Sequence, residues 1–191
     1  MNIFFHLLGA AWFSLGSVYV AYTLLALPAY TFGWNPVPWG MTGAVLAILA
    51  LFAPTPVLAL LGQLKCVGWT HTVVSEWEVK RDGWLHKKFF AGRWAGCCVG
   101  LYIWYGPDYA DDSKSPKTWA HERRHAFQCL VFGPFQWLMY AVFVVLMYPF
   151  MKDRHPYYDN WFEWDARKAA GQPLDIKWQE WANSEHRWIW W

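Results

Sequence analysis

The sequence predicts a membrane α+β protein: an N-terminal transmembrane helical hairpin, then a small domain combining a short antiparallel sheet with three helices. Three observations lead there. Residues 3–64 are almost uninterrupted apolar sequence, residues 65–105 hold β-favouring runs between turn signals, and beyond Ser115 the pattern turns helical. Composition agrees, with 56% hydrophobic and only 16% charged residues, against about 25% charged in an average soluble chain. The 17 Trp residues favour a membrane–water interface, because an indole joins an apolar ring to a polar tip. A formal charge of +2 is too small to argue for a nucleic-acid partner.

Ile3 to Tyr30 contains no Asp, Glu, Lys or Arg, has His6 as its only side chain that titrates near neutral pH, and exceeds the roughly 20 residues that cross a bilayer. No positive residue precedes it and the run is too long for a signal-peptide core, so an uncleaved anchor is expected. Thr31 to Gly40 reads as a tight, aromatic, uncharged turn. A second apolar run, Met41 to Leu64, is broken by Pro54 and Pro56; membrane helices tolerate such breaks where neighbours satisfy the freed carbonyls. Two helices joined this way form a hairpin, with a pair of bilayer-dipping half-helices as the alternative. Lys65, Lys80, Arg81, Lys87, Lys88 and Arg93 follow the second run, while the Thr31–Gly40 link carries no charge. The positive-inside rule then places the N-terminus and the region after Lys65 in the cytoplasm.

Thr72 to Val79, Trp84 to Phe90 and Cys97 to Tyr105 read as about three antiparallel strands, punctuated by Arg81-Asp82-Gly83 and Gly106-Pro107. Cys66, Cys97, Cys98 and Cys129 show neither a disulfide framework nor zinc-knuckle spacing and read as small buried hydrophobes. Ser115 and Pro116 offer an N-cap and a first helical position. The helix they open is expected to end near Gly133-Pro134. Phe135 to Phe150 is a third uncharged apolar segment, and Asn160 precedes a short helix from Trp161 to about Ala170. Ile176 to Trp191 looks like an interfacial amphipathic tail.

The helix after Pro116 carries His121-Glu122-x-x-His125. Positions i and i+4 share one helix face, so both imidazoles can reach one metal ion. Glu122 sits beside that face, placed to take a proton from a water there. A zinc site with an open coordination position needs three protein ligands, and the segment Asp159 to Arg167 offers Glu163 on a helix. Two plainer readings compete. Asn160 with Glu163 three residues on is also a capping-box pattern needing no metal, and His121 and His125 could be surface histidines beside Arg123 and Arg124. Gln128 lies on the same stripe as His125, suited to a contact behind the metal, to substrate or simply to packing. Arg123 and Arg124 are expected to face water or lipid headgroups. His71, His86, His155 and His186 have no partner at ligand spacing.

These residues resemble the gluzincin class of zinc metallopeptidases, in which two His of H-E-x-x-H are joined by a Glu from a later helix. More closely, they resemble small bacterial proteins that pair H-E-x-x-H-x-x-Q with a Gly-Pro-aromatic step and a D-N-x-F-E-x-x-A element. The matching positions are His121, Glu122, His125, Gln128, Gly133, Pro134, Phe135, Tyr158, Asp159, Asn160, Phe162, Glu163 and Ala166. The resemblance covers roughly residues 95–170, and neither the hairpin nor the tail. It implies Zn2+ held by His121, His125 and Glu163, with Glu122 as general base of peptide hydrolysis. Thermolysin-like enzymes orient a ligand His with an Asp four residues after the ligand Glu; here that position is Arg167, and Asp165 is the available substitute. Tyr157, Tyr158 and His155 are candidates to steady an oxyanion. By analogy with zincins, a strand such as Cys97 to Tyr105 would pair with an extended peptide.

Such a site constrains the topology. A helix from Phe135 to Phe150 that crossed the bilayer would carry the chain about 24 Å from Gly133. Returning Glu163 would then draw unpaired backbone through lipid. The third apolar helix is therefore expected to pack against the hairpin or lie in the interface. The resulting organisation is a hairpin (1–64), a zincin-like metal-binding domain (65–175, including the apolar helix 135–150) and a Trp-rich tail (176–191). The expected partners are the lipid bilayer and a peptide or protein substrate, in a bacterial inner membrane with the site at its cytoplasmic face. A non-catalytic scaffold or binding protein that keeps a structural metal site, and a Trp-rich membrane-active protein without metal, are the alternatives.

Overall fold

The computed structural model of the protein describes residues 3–147 and 160–174. The Trp-rich tail (176–191), the oxyanion candidates Tyr157, Tyr158 and His155, and Asp159 lie outside the described residues. Helix α1 (Ile3–Thr31) is long and apolar enough to cross a membrane by itself. Helices α2 (Pro36–Phe52) and α3 (Pro54–Leu60) meet at 48° and pass the same test only together. Asn35 caps α2 by accepting from the Val37 amide, so α2 begins at Pro36 and the turn is shorter than the Thr31–Gly40 link expected. Glycine brings the two helices together. A Cβ on Gly43 would collide with the Ala21 carbonyl, and one on Gly40 with the Tyr22 ring, the close backbone approach that holds helices together where lipid supplies no hydrophobic drive. Leu15, Tyr19 and Leu24 point outward, an apolar surface suited to acyl chains.

The sheet departs from the expected three antiparallel strands. It has four strands, β1 (Leu64–Thr70), β2 (Val74–Val79), β3 (Gly96–Val99) and β4 (Tyr102–Tyr105), in the order β1-β2-β4-β3. The β1–β2 and β3–β4 pairs are antiparallel, but β2 runs parallel to β4, pairing Ser75 with Tyr102 and Glu78 with Tyr105. The Cys97–Tyr105 run breaks at Gly100, whose φ of 62° reverses the chain. The second apolar run ends earlier than expected, with Leu64 opening β1. Trp84 to Phe90 forms no strand. His86–Phe90 is one turn of π-helix that buries Leu85 and Phe90, five residues apart, on Leu64 and Val79; strand alternation would set those two on opposite faces.

Helix α4 (Pro116–Phe132) lies across the sheet, closing a core of Val74, Ile103, Tyr105, Trp119, Ala126 and Leu130. The Tyr105 and Trp119 rings stack at 4.2 Å. Pro116 takes the first turn as expected, but the Ser115 side chain makes no capping bond. At Gly133 (φ 57°) the chain passes against the Trp12 indole of α1. A 3-10 turn, Gly133–Phe135, then leads into α5 (Gln136–Met147), and the chain bends by 93° there. The twelve residues of α5 within the described range rise about 18 Å. Its main neighbours are α4 and α6 (Trp161–Ala169), and it is the 3-10 turn that packs on α1. Arg123 and Arg124 do not simply face water or headgroups. Arg123 reaches Glu76 of β2 at 2.7 Å and Asp112 at 3.0 Å, and Arg124 grips Asp165 of α6 with two bonds of 2.7 and 2.9 Å.

Candidate metal centre

One helical turn separates His121 from His125, and their Nε2 atoms point at each other 3.1 Å apart. Helix α6 brings Glu163 to both rings. Its Oε2 is 3.3 Å from His121 Nε2 and its Oε1 is 3.3 Å from His125 Nε2. All three residues are buried. Helix α6 starts where it does because Asn160 accepts from the Phe162 amide at 3.0 Å, satisfying an orphan donor of the first turn. Glu163 in that turn and Arg167 and Lys168 in the last match the helix dipole. Asn160 is thus a cap, while Glu163, the other half of the capping-box pattern, turns instead into the His pair.

Each histidine is backed by a glutamine. His125 Nδ1 donates to Gln128 Oε1 at 2.9 Å. The Gln128 amide nitrogen is committed to the Phe162 carbonyl (3.0 Å) and to Asp165 (2.8 Å), so its oxygen must be the atom that faces His125. His121 Nδ1 donates to Gln172 Oε1 at 3.0 Å. With both Nδ1 atoms carrying protons, both Nε2 lone pairs face the Glu163 carboxylate. Two lone pairs and a carboxylate this close require a cation between them, either a proton or a metal ion.

The acid–base balance shows the same demand. Burial works against charge on His125, but the Glu163 carboxylate outweighs it, and the imidazole pKa rises to about 9. Burial likewise opposes the Glu163 charge, and the imidazoles of His125 and His121 overcome it, holding the carboxyl well below the usual carboxylate range. Oε2 of Glu163 is nevertheless buried with no hydrogen-bond partner among the described residues.

A metal ion fits this donor set. The separations of 3.1–3.3 Å are close to the edges of about 3.3 Å expected between ligands about 2.0–2.1 Å from a tetrahedral zinc. His121, His125 and Glu163 form a buried group that could hold a metal ion, with two imidazole nitrogens and a carboxylate of the type zinc takes.

Glu122 lies beside the triad. It is buried, packs against Gly96 of β3, where a Cβ would come within 2.9 Å of its Cγ, and makes no hydrogen bond to another described residue. Burial pushes its pKa up, partly offset by the two imidazoles. Asp165 touches neither His; it reaches His125 only through Gln128, and Arg124 keeps its carboxyl low. Arg167 is buried in α6.

Three residues join the site without belonging to any sequence motif: Gln172, Gly96 and Tyr140. The Tyr140 hydroxyl of α5 donates to Glu163 Oε1 at 3.1 Å, and the Tyr140 backbone carbonyl accepts from the Asn160 side-chain Nδ2 at 3.0 Å. Gln172, just beyond α6, carried no local signal. Tyr140 sits in an apolar run where an aromatic reads as packing. His71 is no ligand: its Nε2 lies 3.1 Å from the Arg123 carbonyl. No protein family, curated protein or solved structure matches the chain.

Proposed function

We propose that the protein is a membrane-anchored, zinc-dependent metallopeptidase-like hydrolase of gluzincin type. His121, His125 and Glu163 would be the metal ligands and Glu122 the general base. The convergence of two imidazole lone pairs and an orphaned carboxylate oxygen beside a free buried glutamate carries this reading. Zinc, when bound, supplies a Lewis acid that lowers the pKa of a water toward about 7 and polarises a carbonyl. The chain's own residues supply the rest. Gln128 and Gln172 hold the tautomers, and Tyr140 and Asn160 steady Glu163. The Glu122 carboxylate would accept a proton from the attacking water and release it to the leaving amine. Strand β3 is at the edge of the sheet with Gly96 against Glu122, where unpaired backbone suits an extended peptide. Helix α1 supports membrane anchoring; the positive-inside pattern puts the site at the cytoplasmic face, in the bacterial inner membrane by the resemblance.

A second reading rests on the depth of the triad. With each ligand less than a tenth exposed, a non-catalytic scaffold or binding protein that keeps a structural metal site would have the same geometry. Glu122→Gln separates the two. In the full-length chain assayed on a library of quenched fluorescent peptides, the hydrolase reading expects unchanged zinc content and cleavage reduced by about 10²–10⁴. The scaffold reading expects no change in either. Equal zinc in wild type and His125→Ala would remove the metal site from both.

A further inference from the structure

Residues 80–93 gather charge that the rest of the chain lacks. They hold Lys80, Arg81, Lys87, Lys88 and Arg93 against Asp82 alone, a net +4, whereas the whole chain is only +2 and the remainder therefore sums to −2. The segment folds as one lobe. Leu85 and Phe90 are its buried underside, packed with Leu64 and Val79 against Leu58 and Ala59 at the end of α3. The Lys80 amide donates to the Gln63 carbonyl, and the Arg93 guanidinium donates to the Lys88 carbonyl. The basic groups occupy the outside. Lys80, Lys87, Lys88 and Arg93 are exposed and have no carboxylate partner among the described residues; Arg81 alone is paired, with Asp108. Trp84 stands out beside them, about half exposed, and Leu60 at the end of α3 is exposed nearly in full.

This places unneutralised cations and an indole beside the end of α3, against which the lobe packs. Clusters of four or more Lys/Arg next to a membrane segment attract anionic headgroups, and an indole at that depth suits the interface. We propose that the 80–93 lobe is a docking surface for anionic phospholipid headgroups, through Lys80, Lys87, Lys88 and Arg93 with Trp84 as the interfacial anchor. The lobe would seat the metal domain against the bilayer and fix its height, whether or not the metal site is catalytic.

The test uses the full-length chain in a mild non-ionic detergent, with phosphatidylglycerol and phosphatidylcholine of matched acyl chains supplied in equal amounts. Native mass spectrometry then counts the retained lipids. Wild type is expected to retain phosphatidylglycerol preferentially. Each of Lys87→Gln, Lys88→Gln and Arg93→Gln should lower that preference, by up to about fivefold per charge at low salt, and the triple substitution combining them should abolish it. Raising salt from about 50 to about 500 mM should shrink it in the wild type, with no folding question attached. Lys114→Gln/Lys117→Gln, also exposed but outside the lobe, should leave it unchanged. Equal retention of the two lipids by wild type, a preference that survives the triple substitution, the same loss in the Lys114/Lys117 control, or abolition by inorganic phosphate at constant ionic strength would each overturn the proposal.

Discussion

Gln128 fixes the proton on His125. Its amide nitrogen is engaged twice, by the Phe162 carbonyl and by Asp165, so its oxygen accepts from His125 Nδ1 at 2.9 Å and leaves Nε2 free. Replacing Gln128 with Ala should therefore weaken zinc binding by about 10–100-fold, the usual effect of losing a partner behind a ligand His. It should also cost about 1–3 kcal/mol of stability, since buried groups lose their partners. Chelator competition and thermal melting check the two effects. An unaltered zinc affinity would mean that Gln128 only fills space.

In the metal-free protein, pH acts on stability through the same group. The His125 pKa is raised from 6.5 to about 9. Its contribution is fully present below 6.5 and is lost as pH rises through about 9. Glu163, depressed below 4.5, contributes above 4.5 and loses that contribution as pH falls through its lower value. Glu122, raised by burial, acts in the same sense as His125. Chelator-treated protein should thus melt progressively lower between pH 6.5 and about 9, and the fall should be smaller in His125→Asn. A melting temperature flat over that range would contradict the ion pair.

Gly133 should not accept a side chain. Its φ of 57° lies where L-residues are strained, and a Cβ would strike the Trp12 indole. Gly133→Ala is expected to cost about 1–3 kcal/mol. It should also loosen zinc, because Gly133 sets the 3-10 turn that aims α5 and Tyr140 at Glu163. Melting with and without zinc reads both; a neutral substitution would show that this bend is not held by Trp12.

Gly43→Val tests the hairpin. The added branches would meet the Ala21 carbonyl and force α1 and α2 apart. Accelerated proteolysis within the Thr31–Gly40 link in membranes is expected, with zinc binding of intact chains preserved because α4 and the 3-10 turn, which adjoin the proposed metal site, pack on the N-terminal half of α1 through Gly9 and Trp12. Loss of zinc together with the hairpin would show that the two are one cooperative unit.

Local patterns carried a definite share of this protein. Apolar length marked α1, Pro and Gly marked the breaks at Pro54 and Gly133, and the i,i+4 spacing alone put His121 and His125 on one face. These are properties of a few neighbouring residues and of helix geometry, so a single sequence contains them. The tertiary structure decided what depended on contacts between distant segments. Helix α6 turned Glu163 from a capping-box position into the triad, and Gln172 and Tyr140 joined it without any local signal. Gly100 split one expected strand into a hairpin whose second arm pairs in parallel with β2. Arg123 and Arg124, which read as solvent-facing beside the motif, found Glu76 and Asp165 more than forty positions away. A hydrogen bond across that separation leaves no periodicity to read, because its partners meet only once the elements between them have packed.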